Sequence, residues 1–139
     1  SSVYYQGTKD FVYIAGGIGI TPFMSNLRYM HDTQSKRRVL LLYANKTEAD
    51  IVFREELAHL EVGSTPALKV VHILSRPAET WQGEKGHLNR EIIERLAGDR
   101  LGQARFFLCC PPPMLKSILR ILKELGVPAE RISLEYFSL

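Results

Sequence analysis

The feature that most constrains this chain is an apolar strand, F-V-Y-I-A, that runs directly into the turn G-G-I-G-I-T-P near the N-terminus. Three glycines of the turn, Gly16, Gly17 and Gly19, lack a Cβ atom, so the backbone can adopt positive φ angles and a ligand can lie against it. Thr21 suits the N-cap of a following helix, and Pro22 suits its first position. Because free N–H groups and the positive end of that helix would face the glycines, the segment predicts a cradle for an anion such as pyrophosphate.

The turn differs from the Rossmann fingerprint of NAD-dependent dehydrogenases. That fingerprint needs G-x-G-x-x-G and, about 20 residues further on, an acidic residue that holds the ribose. Here Pro22 stands where the third glycine would be, and the next strand ends in Y-A-N-K, without a carboxylate. The dehydrogenase interpretation is therefore weak, and a glycine turn that merely joins a strand to a helix remains an open alternative.

Segments of strand and helix type alternate along the chain, which is typical of a parallel sheet covered on both faces. We predict a doubly wound α/β fold with a five-stranded parallel sheet and helices on both faces. Ligands bind such sheets at the carboxyl ends of the strands, where the glycine turn and the cysteine pair both fall. The predicted strands are Phe11–Ala15, Arg38–Ala44, Leu68–Leu74, Arg105–Cys109 and Ile132–Phe137, and the predicted helices are Pro22–His31, Ile51–Leu60, Arg90–Ala97 and Pro113–Leu125.

Composition and charge exclude several classes of function. A chain of 139 residues with 45% hydrophobic residues suits a single domain, and no apolar run is long and unbroken enough for a signal peptide or a membrane span. The net charge of +3 is mild and the basic residues are scattered, so a nucleic-acid surface is not indicated. The only two cysteines, Cys109 and Cys110, are adjacent and too constrained for an ordinary disulfide, which favours reduced thiols in a cytoplasmic setting. The four histidines show no metal-ligand spacing, so no metal site is expected.

Three motifs occur in an order that resembles one known family. G-G-x-G-x-T-P near the N-terminus is followed by C-x-P-P-P-M and by a terminal E-x-F. Together they resemble the NAD(P)H-binding domain of the ferredoxin–NADP reductase superfamily, and within it they look most like the ferric-reductase-like and NADPH-oxidase-like reductases. The resemblance spans nearly the whole chain.

The resemblance implies that Ser75 and Arg76 contact the adenosine end of NADPH or NADH. Ser75 can donate a hydrogen bond to a ribose oxygen or a 2′-phosphate, and Arg76 offers a planar set of donors. The absence of an acidic residue at position 75 favours NADPH, while a solvent-exposed loop arginine is an equally open interpretation of Arg76. The residues implied to bind the cofactor are Gly16, Gly17, Ile18, Gly19, Thr21, Pro22, Asn45, Ser75, Arg76, Cys110, Pro111 and Met114.

At the nicotinamide end the resemblance implies three catalytic residues, Cys109, Glu135 and Phe137. Cys109 would lie beside the C4 atom of the nicotinamide and position the ring without covalent chemistry. Glu135 matches a carboxylate near the reacting centre, and Phe137 matches an aromatic residue that stacks on the flavin and is displaced by nicotinamide. Buried cysteines and aromatics more often simply pack in a core, which is the plainer interpretation. Cys110 stands where the family usually has glycine, and its side chain is expected to crowd the nicotinamide end.

The resemblance also implies a larger protein. In this superfamily an FAD-binding barrel lies upstream in the same polypeptide, and no such barrel precedes Ser1. We therefore expect residues 1–139 to be an NAD(P)H-binding domain excised from a longer flavoprotein, which passes hydride from NAD(P)H to FAD and then electrons to an unknown acceptor. A cytoplasmic location is expected, with a place at the cytoplasmic face of a membrane open for the full-length protein. The alternative is a non-catalytic dinucleotide-binding or regulatory module with a decayed site.

Overall fold

The computed structural model describes residues 10–135, which form one parallel β-sheet covered by helices. The strands lie in the order β4-β3-β2-β1-β5-β6, and every neighbouring pair is parallel. The doubly wound α/β prediction is therefore confirmed. The strands are β1 (Asp10–Gly16), β2 (Arg38–Asn45), β3 (Ala67–Leu74), β4 (Glu84–Lys85), β5 (Arg105–Cys109) and β6 (Ile132–Leu134).

Two layers of helices cover the two faces of the sheet. Helices α1 and α2 bury residues such as Leu27 and Leu57 in one core, and α3 and α4 bury Ile93 and Ile118 in the other. Within residues 10–135, no helix is long and apolar enough to cross a membrane. The helices are α1 (Thr21–Asp32), α2 (Arg54–Val62), α3 (Arg90–Ala97) and α4 (Pro112–Glu124).

The position of β1 in the middle of the sheet explains why Phe11–Ala15 is an unbroken apolar run. Successive side chains of a strand point to opposite faces of the sheet. Phe11, Tyr13 and Ala15 accordingly lie in the core under α1 and α2, and Val12 and Ile14 lie in the core under α3 and α4. Because both faces are covered, the residues from Phe11 to Ala15 are all buried, and the one charged residue of the strand, Asp10, stands at its start.

Apart from shifts of one or two residues at the ends of elements, the structure differs from the predicted elements at a sixth strand and at the start of α2. A sixth strand, β4, pairs with the end of β3, and its two residues carry no apolar pattern that could have indicated a strand. Helix α2 begins at Arg54 rather than at Ile51, because Phe53 at its N-cap adopts the left-handed conformation, with φ 60° and ψ 27°. The last part of the predicted strand Ile132–Phe137 lies outside the described residues.

The amino ends of the strands are tied together around a buried carboxylate. Asp10 at the start of β1 is only 4% exposed. Arg38 at the start of β2 donates to its Oδ2 atom at 2.6 Å, and Gln103 donates to the same atom at 2.6 Å. At the amino edge of the sheet, the start of β1 is therefore tied to β2 and to the segment before β5.

The outer side of β3 is only partly covered. Strand β4 pairs with Ile73 and Leu74 at the end of β3. Further back, the backbone N–H of Val70 donates to Glu61 Oε2 of α2 at 2.8 Å. A carboxylate therefore occupies a backbone donor that would otherwise be open at the sheet edge.

Candidate functional site

A cavity opens where the order of the strands reverses. From β1 the chain moves outward through β2 and β3 on one side, and it returns to place β5 on the other side. Ligands of such sheets bind at this reversal, outside the carboxyl ends of the strands. The cavity has a volume of about 450 Å³ and is lined by Gly16, Gly17, Ile18, Ala44, Asn45, Lys46, Asp50, Val52, Ser75, Gly86, His87, Pro111 and Met114.

Gly17 gives the turn after β1 its shape. Its φ of +57° lies in the left-handed region, and no heavy atom lies within 4 Å of the place a Cβ would take. The backbone at Gly17 therefore borders open space, against which a ligand can lie. Residues Gly17–Ile20 form a short 3₁₀ turn that leads straight into α1. The first N–H groups of a helical turn have no acceptor within it, so the turn fits a phosphate group.

The other two glycines of the turn, Gly16 and Gly19, do not adopt the positive φ that the sequence permits. Gly16 ends β1 in extended conformation with φ −125°, and a Cβ there would lie 2.8 Å from Met114 Sδ. At Gly19 a Cβ would overlap the backbone carbonyl oxygen of Cys109. Glycine is required at position 19 because the backbone of β5 leaves no room for a side chain, whereas at Gly16 the nearest atom belongs to the flexible side chain of Met114. Gly19 does not line the cavity.

The start of α1 also differs from the prediction. The N-cap is Ile20, Thr21 is the first residue of the helix and Pro22 the second. The hydroxyl of Thr21 donates to the carbonyl oxygen of Ile18 at 3.0 Å instead of accepting from a helical N–H. The predicted N-cap role of Thr21 is wrong because the 3₁₀ turn already supplies helical backbone before it. Neither Thr21 nor Pro22 reaches the cavity wall.

The ends of β2 and β3 form the next part of the wall. The N–H of Ser75 donates to the carbonyl of Asn45 at 3.0 Å, and the N–H of Arg76 donates to that of Lys46 at 2.8 Å. Asn45, Lys46 and Ser75 line the cavity, whereas the exposed side chain of Arg76 lies outside its wall. Lys46 brings a positive charge that the sequence analysis missed, because nothing distinguishes a lysine after a strand from any other loop lysine.

Asn45 carries a polar group that fits a ligand. Its amide nitrogen, Nδ2, is buried, lies near the Tyr43 hydroxyl and makes no hydrogen bond of ordinary geometry among residues 10–135. Buried polar groups are rarely left without a partner in a protein, so such an atom beside a cavity suggests a place for an acceptor. The residues at the reversal of the sheet thus fit a polar, anionic ligand.

Asp50 lines the cavity, but its carboxylate is already used. Its Oδ2 atom accepts from the backbone N–H and from the hydroxyl of Thr47, both at 3.0 Å. These contacts close a capping box on the 3₁₀ turn Glu48–Asp50. Asp50 is not the N-cap of α2, because Phe53 holds that position.

The start of α4 forms an apolar part of the wall. Pro111 is its N-cap, followed by Pro112 and Pro113. Prolines have no N–H group, so this helix start offers few donors to an anion. Pro111 and Met114 instead present apolar surface to the cavity beside Gly16. The cavity therefore has a polar wall at the ends of β1, β2 and β3 and an apolar wall at α4.

Cys109 and Glu135 lie near each other at the ends of β5 and β6. Cys109 is 4% exposed, and burial raises the pKa of its thiol, to which the negative charge of Glu135 adds. The thiol is therefore protonated near neutral pH, which suits contact or positioning rather than nucleophilic attack. The N–H of Glu135 donates to the carbonyl of Leu108 at 2.8 Å and so continues the pairing of β6. Neither side chain lines the cavity, and Phe137 lies outside the described residues.

Cys110 is half-buried behind Gly16 and is not part of the cavity wall. Its Cβ would lie 3.2 Å from a Cβ placed on Gly16. Burial raises the pKa of the Cys110 thiol to about 11, and the neighbouring Cys109 contributes. Crowding of a bound nicotinamide by this side chain remains a prediction.

The raised pKa predicts how Cys110 reacts with iodoacetamide. Only the thiolate reacts, so the rate should keep rising by about tenfold per pH unit through pH 10. Mass spectrometry of alkylated peptides over this pH range measures the rate, and Cys110→Ser is the control that leaves Cys109 alone. A plateau between pH 8 and 9, at the ordinary thiol pKa, would contradict the burial that we describe.

Seven of the twelve predicted cofactor residues therefore meet at one cavity, and five lie elsewhere. Those outside the wall are Gly19, Thr21, Pro22, Arg76 and Cys110. Wall residues that the cofactor prediction missed are Ala44, Lys46, Asp50, Val52, Gly86 and His87. Gly86 and His87 directly follow β4, which lies in the long loop after β3 and pairs with the end of that strand.

A parallel sheet with a glycine turn at its reversal point defines the class of nucleotide-binding α/β domains. The family model described as the oxidoreductase NAD-binding domain matches residues 13–120. The chain belongs to this family, and its predicted place in the ferredoxin–NADP reductase superfamily is confirmed.

Named relatives agree with this assignment. The chain is 36% identical over 132 residues to the NADPH nitrate reductase of Emericella nidulans, covering 93% of the chain and 15% of that protein. It is 34% identical over 119 residues to NADH-cytochrome b5 reductase 1 of Candida albicans, covering 85% of the chain and 40% of that protein. These relatives are cytochrome b5 reductases and a nitrate reductase, rather than the ferric-reductase-like proteins that the motifs suggested.

A solved structure has the same fold. The cytochrome b5 reductase domain of nitrate reductase from Ulva prolifera superposes with a TM-score of 0.83 at 32% identity, covering 94% of this chain and 49% of that one. The chain thus spans about half of that reductase domain and less than half of the two relatives.

Proposed function

We propose that this chain is the nicotinamide-dinucleotide half of a flavin-dependent oxidoreductase. It binds NAD(P)H and holds the nicotinamide for hydride transfer to FAD, which a barrel domain of the same polypeptide carries. The observation that carries the proposal is the cavity at the sheet reversal, where the open backbone of Gly17 and the buried amide of Asn45 meet. Membership of the oxidoreductase NAD-binding family supports the choice of ligand.

Each part of the site has a separate task in this proposal. The 3₁₀ turn at Gly17–Ile20 binds the pyrophosphate through backbone N–H groups. Lys46 and Ser75 lie on the adenosine side, and Pro111 and Met114 offer apolar contact to the rest of the dinucleotide. The protein supplies binding and orientation, and when FAD is bound its flavin supplies the redox chemistry.

Cys109 and Glu135 hold the reacting end in this proposal. The protonated thiol provides a small contact surface, and the Glu135 carboxylate lies close enough to influence its pKa. Phe137 follows two residues later and is proposed to cover the flavin. We place the electron acceptor outside these residues, and the full-length protein in the cytoplasm or at the cytoplasmic face of a membrane.

A module with a decayed site is the second candidate, and Cys110 is the residue that favours it. Its side chain replaces the glycine that the superfamily usually has after the cysteine. The structure places Cys110 behind Gly16 rather than on the cavity wall, so the space for a dinucleotide persists. We therefore favour the binding function over a decayed site.

Isothermal titration calorimetry of this chain with NADPH, NADH and ADP-ribose tests the proposal directly. All three should bind, because each carries the pyrophosphate and the adenosine. Nicotinamide alone is the control, since it lacks both groups and should give no measurable heat. Absence of binding by all three dinucleotide ligands would refute the proposed function.

Two substitutions test which residue distinguishes NADPH from NADH. Lys46 lies on the cavity wall and Arg76 beside it, so either cation could contact the 2′-phosphate. If Arg76 makes this charge-assisted contact, Arg76→Ala should weaken the binding of NADPH by about 1–3 kcal/mol and the binding of NADH much less. Lys46→Ala, measured in the same titrations, shows which cation does so. If each variant loses the same binding free energy for NADPH as for NADH, neither cation contacts the 2′-phosphate.

A further inference from the structure

The hydroxyl of Tyr43 forms hydrogen bonds with the backbone of two residues that line the cavity. Tyr43 lies on β2 with its ring fully buried in the core under α1 and α2. Its hydroxyl donates to the carbonyl oxygen of Gly17 at 2.9 Å and accepts from the backbone N–H of Val52 at 3.3 Å. Gly17 and Val52 both line the cavity, so one side chain holds a point on each wall.

The contact with Gly17 also determines where the next N–H group points. In a planar trans peptide, the C=O and N–H groups point in opposite directions. Tyr43 holds the Gly17 carbonyl toward the core, and the N–H of Ile18 in the same peptide therefore points away from the core. Ile18 is 64% exposed and lines the cavity, so we expect an N–H that points away from the core to face the cavity.

The contact with Val52 stabilises the opposite wall. Val52 is 38% exposed and precedes Phe53, which adopts the left-handed conformation with φ 60°. Such a conformation is unfavourable for a bulky residue and persists only where its surroundings hold it. The hydrogen bond from Val52 to Tyr43 is one of the contacts that hold this segment against β2.

We propose that Tyr43 is a positioning residue for phosphate binding, whose hydroxyl directs the Ile18 N–H toward the dinucleotide pyrophosphate. The proposal rests on the proposed function, since it assigns this N–H to the pyrophosphate of the same ligand. Burial raises the pKa of Tyr43 above its ordinary value, so the hydroxyl remains a donor throughout the neutral range.

The variant Tyr43→Phe tests the proposal because it keeps the ring in the core and removes only the hydroxyl. Its affinity for ADP-ribose, measured by calorimetry, should fall by about threefold to tenfold, the range expected for one lost hydrogen bond. Its affinity for adenosine 2′-monophosphate, which lacks the pyrophosphate, should stay within about twofold of that of the unaltered chain, because no hydrogen bond to this ligand is lost. A merely structural role of the hydroxyl would not separate the two ligands.

Tyr13→Phe is the matched control. Tyr13 is also fully buried in the same core, on the neighbouring strand β1, and does not line the cavity. Loss of its hydroxyl should leave both affinities unchanged. Equal weakening of both ligands in Tyr43→Phe, or unchanged ADP-ribose affinity, would overturn the proposal.

Amide spectra of the unaltered chain provide a test that does not depend on the variant folding. Addition of ADP-ribose should move the Ile18 amide resonance downfield and slow its hydrogen exchange. An Ile18 amide that stays unchanged while neighbouring turn amides shift would overturn the positioning role alone. Failure of the unaltered chain to bind ADP-ribose would overturn the proposed function and this inference together.

Discussion

Replacing Gly17 with valine is expected to abolish dinucleotide binding and leave a folded domain. No heavy atom of another segment lies within 4 Å of the Cβ position, and Gly17 lines the cavity, so the new side chain is expected to occupy the space that a ligand would use. The φ of +57° adds a backbone cost of about 1–2 kcal/mol for a residue with a side chain. Calorimetry with ADP-ribose measures binding, and urea unfolding shows that the fold persists.

Gly126→Val is the control that separates the conformational cost of a positive φ from the effect of a side chain in the cavity. Gly126 follows α4 with φ +85°, has no heavy atom within 4 Å of its Cβ position, and lies away from the cavity wall. This variant should lose a similar amount of unfolding free energy and bind ADP-ribose normally. If Gly17→Val also binds normally, the ligand does not lie on the glycine turn.

Replacing Gly19 with alanine is expected to destabilise the whole domain. The added Cβ would overlap the carbonyl oxygen of Cys109, which belongs to the backbone of β5 and cannot move like a flexible side chain. Forced overpacking of this kind costs about 3 kcal/mol at the upper end of its usual range. Urea unfolding monitored by circular dichroism should show this loss directly. Valine at this position adds further atoms, so Gly19→Val cannot serve as a test of ligand binding alone.

Gly102→Ala is the control for Gly19→Ala. Gly102 has no heavy atom within 4 Å of its Cβ position and no positive φ. Its substitution should change the unfolding free energy by less than about 0.5 kcal/mol, as surface changes usually do. A Gly19→Ala variant as stable as Gly102→Ala would show that β5 and the turn are farther apart than described.

Much of the fold follows from local signals that the sequence carries. Helix α3 has its predicted bounds because Asn89 accepts from the Ile92 N–H as an N-cap and Gly98 ends the helix with φ 51°. Strand β5 also has its predicted bounds, because its apolar run lies between Ala104 and the prolines of α4. These signals act over a few residues, so they can be read without knowledge of the neighbours in space.

The features that escaped prediction depend on residues far apart in the chain. The need for glycine at position 19 arises from Cys109, and the anchor for the Gly17 carbonyl is Tyr43. The motif resemblance located the cavity, but it placed Thr21 at the N-cap because the 3₁₀ turn before α1 leaves no pattern in the sequence. Local signals therefore predicted the elements and the edge at which the cavity lies, and not the contacts that shape the cavity.

The carboxylate that accepts from Val70 also affects how separate copies of this chain behave toward each other. An open strand edge is a template on which another chain can add a strand and begin to aggregate. With Glu61 bound to the Val70 N–H and β4 covering the end of β3, an incoming strand would lose a backbone hydrogen bond and meet a negative charge. The β3 edge of the sheet thus resists self-association along the part that β4 leaves uncovered.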